Sequence, residues 1–309
     1  MSFKINDVEV EDTFAEAFPM VGTRLLITAA DKYWAHTAVN VATGFASSII
    51  MSPAEAGLER FIGPDHTPDK RVGALIQIYH RTLPELKFQV LSRVGQCILT
   101  CPTTALFDGL PQVRRRMDIG GALSKFADGF ESKEVVGGKN VYRVPVMQGS
   151  FLFEGNIGVV KGVAGGNIIV MGDSEESALK GSMGAVAAIR RCCKDVIMSF
   201  PGGIVRSGSK VGSLKYPKLP ATTNHPFCPT LRGKIADSKV PEGVNSNLEI
   251  VINGLYPDAV KIAQGVGILA AAEVKGVKRI TSVNFGGKLG PFLIKTKDAV
   301  ESARAVYRK

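Results

Sequence analysis

Leu248-Glu249-Ile250-Val251-Ile252-Asn253-Gly254-Leu255 is the stretch that decides how this chain is read. Its β-branched apolar residues mark a buried strand, and Pro257 just beyond suits the first turn of a helix. Strand side chains alternate, so Leu248, Ile250 and Ile252 share one face while Glu249, Val251 and Asn253 share the other. A carboxylate on a largely apolar face is costly unless it is paired, opens onto a cleft or keeps its proton. Glu249 is therefore either a residue on a solvated sheet edge, where acidic side chains usually sit, or a carboxyl with a raised pKa that can deliver a proton.

Working outward, the helix spans residues 257–273 and a strand follows at 279–284. Upstream, residues 167–171 form a strand leading to a helix opened by Asp173 or Ser174 and running to about Arg191. A short strand near 196–199 and a glycine-rich stretch, 201–212, come next. The first half repeats this order. A strand at 21–30 precedes a helix capped by Asp31 and stopped by Gly44, then a short strand at 47–51. A connection through Pro53, Gly57, Pro64 and Pro68 leads to a strand at 74–79. A helix then aligns Leu83, Leu86, Val90, Leu91, Val94 and Ile98 on one face. Strand–helix–strand followed by strand–helix–strand is the split βαβ order. The expected class is α+β, with two ferredoxin-like lobes arising by duplication, residues 1–148 and 149–309, bridged around 142–153. A doubly wound parallel sheet is the rival, but its phosphate-binding markers are missing. Gly162-Val-Ala-Gly165-Gly166 is not G-x-G-x-x-G, and Gly286-Gly287-Lys288-Leu289 lacks P-loop spacing.

The 309 residues are 45% hydrophobic and 21% charged, the balance of a globular chain with ample core. A net charge of +10 favours acidic partners. Residues 1–14 show no apolar secretory segment, and no apolar run reaches the roughly 20 residues of a membrane helix. Five cysteines, two of them adjacent at Cys192 and Cys193, suit reduced thiols and a cytoplasmic protein.

Other constellations are weak. The histidines at 36, 66, 80 and 225 make no H-x-x-H or H-E-x-x-H pattern, so no metal site is expected. No Gly-x-Ser-x-Gly elbow precedes a helix. Cys228 beside His225 reads more readily as a structural thiol than as a nucleophile. Arg114-Arg115-Arg116 is a solvated face or an anion-docking site. A basic, non-enzymatic ferredoxin-like protein that binds nucleic acid is the alternative from another class. It is weakened by 7% aromatics and by the lack of an RNP-type strand.

Several phrases standing in order carry a family resemblance. They are Glu9-Val-Glu-Asp-Thr-Phe-Ala-Glu-Ala-Phe18, Leu26-Ile-Thr-Ala-Ala30, Ala42-Thr-Gly-Phe45, Ser52-Pro-Ala-Glu-Ala-Gly57 and Arg93-Val-Gly-Gln-Cys97. Phe200-Pro-Gly-Gly-Ile-Val205, Ser209-Lys-Val-Gly212, Glu249-Ile-Val-Ile-Asn-Gly-Leu255 and Asn284-Phe-Gly-Gly-Lys-Leu-Gly290 complete the set. Together they resemble the formylmethanofuran–tetrahydromethanopterin formyltransferase family over about residues 5–296. The resemblance implies reversible formyl transfer between methanofuran (or methylofuran) and ring nitrogen five of tetrahydromethanopterin, with no metal and no covalent enzyme intermediate. It also implies a homotetramer built as a dimer of dimers, with Glu249 as the catalytic carboxyl. The basic charge, and a helical tail over 298–309 beyond the family's usual end, point to a low-salt bacterial cell. There the family partners formylmethanofuran hydrolase subunits.

The chemistry itself asks for one carboxyl with a raised pKa. An amide's amine leaves poorly unless protonated, and the attacking secondary amine must lose its proton. One group near both nitrogens can do both jobs. The developing oxyanion needs donors. Asn253 and the backbone amides of the glycine-rich segments are candidates for that role, Ser209 is a candidate for substrate contact, and Lys210, Lys288 and Arg114, Arg115 and Arg116 are candidates for binding the carboxylates that the resemblance implies on both substrates.

Overall fold

The structure, a computed structural model, describes residues 2–208 and 210–308. The chain forms two compact units, Met20–Gly162 and Met1–Pro19 with Val163–Lys309. Both are mixed α/β.

In the unit of residues 20–162, the strand β1 (Phe14–Ala29) contributes its C-terminal part. There follow α1 (Lys32–Thr43), β2 (Glu55–Ile62), β3 (Val72–His80), α2 (Leu83–Arg93) and β4 (Ala105–Asp108). β1 lies antiparallel between β3 and β4, with Leu25 opposite Ile76 and Ile27 opposite Leu106, and β2 pairs with β3. The spatial order is β2-β3-β1-β4. Ala38, Val39 and Ala42 from α1 and Leu86 and Val90 from α2 bury against Leu25, Ile27, Ile76 and Ile78. Asp31 caps α1, accepting from the Trp34 amide at 3.0 Å. α2 passes at Val94 into a π-type turn, so the expected apolar face continues to Ile98.

One expected element fails. Residues 47–51 form a turn, not a strand. Ser52 Oγ accepts from the Ser48 amide and donates to the Ser48 carbonyl, and Glu55 accepts from the Ile49 amide, so local side-chain bonds outcompete sheet pairing. The strand falls instead at β2, within the stretch read as a connection.

The other unit repeats the order. β5 (Asn156–Gly172) contributes its C-terminal part, followed by α3 (Glu175–Cys192), β6 (Val196–Ile197), β7 (Ser246–Gly254), α4 (Pro257–Ala271) and β8 (Val277–Thr281). β5 lies antiparallel between β7 and β8, and β6 pairs with β7, giving β6-β7-β5-β8. Ser174 is the helix cap, in a reciprocal capping box with Ser177. On one sheet face, Ile168, Val170, Ile250, Ile252 and Ile280 bury against α3 and α4. A final strand, β9 (Phe292–Lys295), pairs with residues 14–17 of β1 and feeds α5 (Thr296–Tyr307). This helix buries Ala299, Val300 and Ala303 in the same core, so the tail residues are part of the fold.

The division expected after residue 148 falls inside an antiparallel meander, since Lys139–Val146 pairs with Gly149–Phe153. That pairing draws residues 149–162 into compact association with the first unit, while the pairing of residues 14–17 with β9 draws the N-terminal residues to the second.

Candidate active site

The site lies on the face of β5 and β7 opposite the core that packs on α3 and α4. Ile169 and Met171 bury there against Phe227, Val240 and Val244 from the long segment between β6 and β7. Ile169 pairs with Glu249 across the sheet, so the Glu249 side chain joins this face. Between the sheet face and the loop lies a cleft of about 700 Å³ with Glu249 in its wall.

Glu249 is fixed from its other side as well. It accepts from the Val205 amide at 2.7 Å and donates its own amide to the Val205 carbonyl at 3.0 Å. Among the described residues its carboxyl makes no ion pair and no hydrogen bond. Burial raises its pKa to about 7. The residue stays partly open to the cleft, so a bound ligand that displaces water strengthens this effect. Of the two readings of Glu249, the geometry matches the cleft-facing carboxyl with a raised pKa.

Gly208 adjoins it with a φ of +53°, and a Cβ there would lie 3.4 Å from both Glu249 Oε2 and Asn224 Cβ. Asn224 thus converges with Glu249 on the one residue type that leaves the space open. Asn247, two residues before Glu249 on the same strand face, donates to the Phe227 carbonyl at 2.6 Å and pins the turn that follows Asn224. Two buried amide atoms in the cleft lining, Asn224 Nδ2 and Asn247 Oδ1, have no hydrogen-bond partner among the described residues. Arg206 and Ser207 complete the rim beside Gly208. The sequence reading missed Asn224, Asn247 and Arg206. The period-2 alternation that singled out Glu249 applies equally to Asn247.

The other anticipated residues separate. Asn253 is fully buried, away from the cleft lining, and accepts from the Gly165 amide at 3.2 Å where the β5–β7 register shifts. Its amide satisfies a backbone donor freed by the irregularity. Ser209 lies outside the described residues. Lys210 reaches the Gly212 carbonyl at 3.5 Å within a small hairpin with residues 221–222. Lys288 is exposed on a loop whose backbone is organised by Glu16, which accepts from the amides of Phe285 and Leu289 at 2.7 Å and from Gly287. Neither lysine lines the cleft. Arg114 and Arg115 are exposed, but Arg116 pairs with buried Asp108 at 2.6 Å. His225 faces Asp237 at 3.2 Å, while the Cys228 thiol lies 3.7 Å from the Asn224 carbonyl. Among the described residues no group of three His, Cys, Asp or Glu side chains is placed to hold a metal ion.

Among the described residues, a cleft-facing carboxyl of raised pKa with no ion pair or hydrogen bond of its own is equipped for the proton movements of a group-transfer enzyme. Comparison with known proteins specifies which. Residues 3–146 match the model described as "Formylmethanofuran-tetrahydromethanopterin formyltransferase", and residues 149–299 match "FTR, proximal lobe". The formylmethanofuran–tetrahydromethanopterin formyltransferase of Methanocaldococcus jannaschii is 50% identical over 96% of this chain and all of its own length. That of Methanosarcina acetivorans is 51% identical over 94% of this chain and 98% of its own. The solved enzyme from Methanosarcina barkeri superposes with a TM-score of 0.93 at 49% identity, covering 96% of this chain and 100% of that one. A chain of the formyltransferase/hydrolase complex from Methylorubrum extorquens, solved with methylofuran, gives 0.92 at 40% identity, covering 97% and 99%. The chain belongs to the formylmethanofuran–tetrahydromethanopterin formyltransferase family, and it is an enzyme of that type.

Proposed function

We propose that this formyltransferase moves a formyl group reversibly between N-formylmethanofuran, or its methylofuran counterpart, and ring nitrogen five of tetrahydromethanopterin, with Glu249 as the proton relay. One observation carries the reading: the Glu249 carboxyl faces the cleft with its pKa raised to about 7, on backbone held by Val205, and among the described residues it makes no ion pair or hydrogen bond. As the pterin nitrogen bonds to the formyl carbon, its proton passes to the Glu249 carboxylate. The carbon–nitrogen bond to methanofuran then breaks, and the departing amine takes a proton from the same carboxyl. One group ends in its starting state, and neither a metal nor an acyl-enzyme enters the scheme. A pKa near the working pH suits a group that must both accept and give.

Both units are read as ferredoxin-like lobes related by duplication, supported by their shared spatial order of strands. In this reading Lys210, Lys288 and the exposed Arg114 and Arg115 attract the carboxylates of the two carriers, Ser209 lines the approach to Glu249, and Asn253 acts indirectly by holding the β5 irregularity. In this reading the enzyme works in the cytoplasm as a homotetramer, a dimer of dimers. Association with formylmethanofuran hydrolase subunits is supported by the likeness to the Methylorubrum chain.

The test is formyl transfer from N-formylmethanofuran to tetrahydromethanopterin by the purified protein, with melting temperature followed in parallel. Tetrahydromethanopterin should raise the melting temperature through ligand linkage. Salt-sensitive binding of RNA or DNA, with no response to the pterin, would instead favour the nucleic-acid alternative.

A further inference from the structure

Polar atoms buried without a partner are rare in folded proteins and mark strain, a bound ligand or a catalytic task. The cleft wall carries two, and they differ in what surrounds them. Asn247 uses its Nδ2 to hold the Phe227 carbonyl, so its amide already has a structural role. Asn224 has none of this kind through its Nδ2, although the residue is only 7% exposed. Its backbone carbonyl accepts from the Phe227 amide at 3.0 Å, and Asn247 fixes Phe227 in turn, so the side chain projects from an anchored turn. Its Cβ and the Glu249 carboxyl flank the same open point at Gly208.

We infer that Asn224 is a further catalytic residue, whose Nδ2 donates to the formyl oxygen as that oxygen gains negative charge. The inference rests on the formyl-transfer reading above. When the pterin nitrogen attacks, a new nitrogen–carbon bond forms and the carbonyl π pair moves onto oxygen. When the intermediate collapses, that pair re-forms the carbonyl, the bond to the methanofuran nitrogen breaks, and the proton taken from the pterin leaves on the amine. A donor beside the proton relay serves this sequence if it meets the oxygen while Glu249 meets the nitrogens. Asn224 is placed for that division of labour, since it approaches Gly208 from a different segment than the strand bearing Glu249. The Nδ2 is shielded from solvent in the free protein, so it meets the oxygen once the substrate seats against this wall, and a donor in so dehydrated a setting contributes most to developing charge. Of the asparagines on the Glu249 face of β7, Asn247 holds the Phe227 carbonyl and Asn253 accepts from the Gly165 amide.

Asn224→Ala and the isosteric Asn224→Asp, which removes both N–H donors, test this against wild type and Glu249→Gln. Both Asn224 variants should lower kcat by roughly 10²- to 10³-fold, with KM for each carrier changed less than about threefold, the range of uniform binding being untouched. The pH dependence of the residual kcat should still follow the Glu249 titration, and the melting temperature should stay at or above that of wild type. A kcat within about threefold of wild type in either folded variant overturns the assignment. So does a loss confined to KM, or one that accompanies a lowered melting temperature in both variants, because these mark a packing role. An inactive wild type would instead overturn formyl transfer itself, an outcome the parallel Glu249→Gln control separates from the Asn224 result.

Discussion

Val205 and Glu249 exchange both backbone hydrogen bonds, at 2.7 and 3.0 Å, in a single bridge that no longer strand continues. The bridge ties the glycine-rich segment to β7 at the residue whose carboxyl faces the cleft. On the other side Ile169 holds the same residue in register. The carboxyl is thus positioned by main chain on both flanks, and its side chain is free for chemistry.

Replacing the carboxyl with an amide keeps this backbone frame. Glu249→Gln is expected to fold and to bind both carriers, but to lose roughly 10²- to 10⁴-fold in kcat, the scale of a missing general acid–base. Steady-state turnover at saturating carriers is the measurement. Near-normal turnover would remove Glu249 from the mechanism.

The same substitution should reveal the burial of the charge. The folded-state pKa of Glu249, about 7, lies above its ordinary value of 4.5, so the native protein holds more protons than the unfolded chain between those pH values. Wild-type stability therefore falls as pH rises through that window. Glu249→Gln cannot ionise and escapes the loss. Its stability relative to wild type should rise by about 1–3 kcal/mol between pH 4.5 and 7.5 and then level off. Urea unfolding across this range checks the sign. A constant difference would mean that the carboxyl is solvated like any surface acid.

The arginine run gives a contrast within three consecutive residues. Arg116 pairs with buried Asp108 and donates to the Leu110 carbonyl at 3.2 Å and to that of Asn156. Arg116→Ala should destabilise by about 2–4 kcal/mol, because it strands a buried carboxylate. Arg114→Ala and Arg115→Ala should each stay within about 0.5 kcal/mol. Their effect, if any, belongs in the salt dependence of KM for the carriers. Chemical denaturation of the three single variants separates the two behaviours.

The sequence carried the alternating strands and the helix starts well, because these depend on neighbours a few residues apart. Asp31 is a cap that its local spacing announces, while at α3 the spacing offers Asp173 or Ser174 and the structure uses Ser174. β2 was hidden because Gly57 lies in it and Pro53 and Pro64 flank it, composition that resembles a connection. The strand exists through pairing with β3, a contact remote in sequence. At the site, alternation alone places Glu249 opposite the isoleucines. It cannot say that a loop from residues 224–244 lies over that face, so nothing local in the sequence singles out Asn224. Asn253 shows the converse. It shares the face of Glu249, yet a register shift in a different strand claims its amide.

Glu16 offers a test of the loop that presents Lys288. Burial pushes its carboxyl pKa up, but the amides of Gly287, Leu289 and Phe285 together outweigh this, and the net shift is downward. The carboxylate stabilises the fold above its unfolded pKa of about 4.5, and that contribution is lost as pH falls through the depressed native value. Glu16→Ala should cost about 2–3 kcal/mol at pH 7 by leaving three backbone donors without their acceptor. The difference from wild type should shrink in acid. Amide exchange at Phe285, Gly287 and Leu289 should accelerate in the variant, and unchanged exchange would show that the loop holds itself.

Gly265 tests whether α5 is integral to the fold. In α4 it faces Ala299 and Ala303 of α5 so closely that a Cβ would run into the Ala299 carbonyl and lie 2.7 Å from the Ala303 Cβ. The obstruction is main chain, which cannot rotate aside. In an exposed helix Gly→Ala would stabilise by nearly 1 kcal/mol through helix propensity. Here overpacking should reverse the sign, giving a net loss of about 1–3 kcal/mol as the helices are forced apart. Because α5 packs on the same core as β7, the loss should appear in cooperative unfolding followed by circular dichroism. A stabilised Gly265→Ala protein would mean that α5 stands off from α4, and that residues 296–307 are an appendage to the fold.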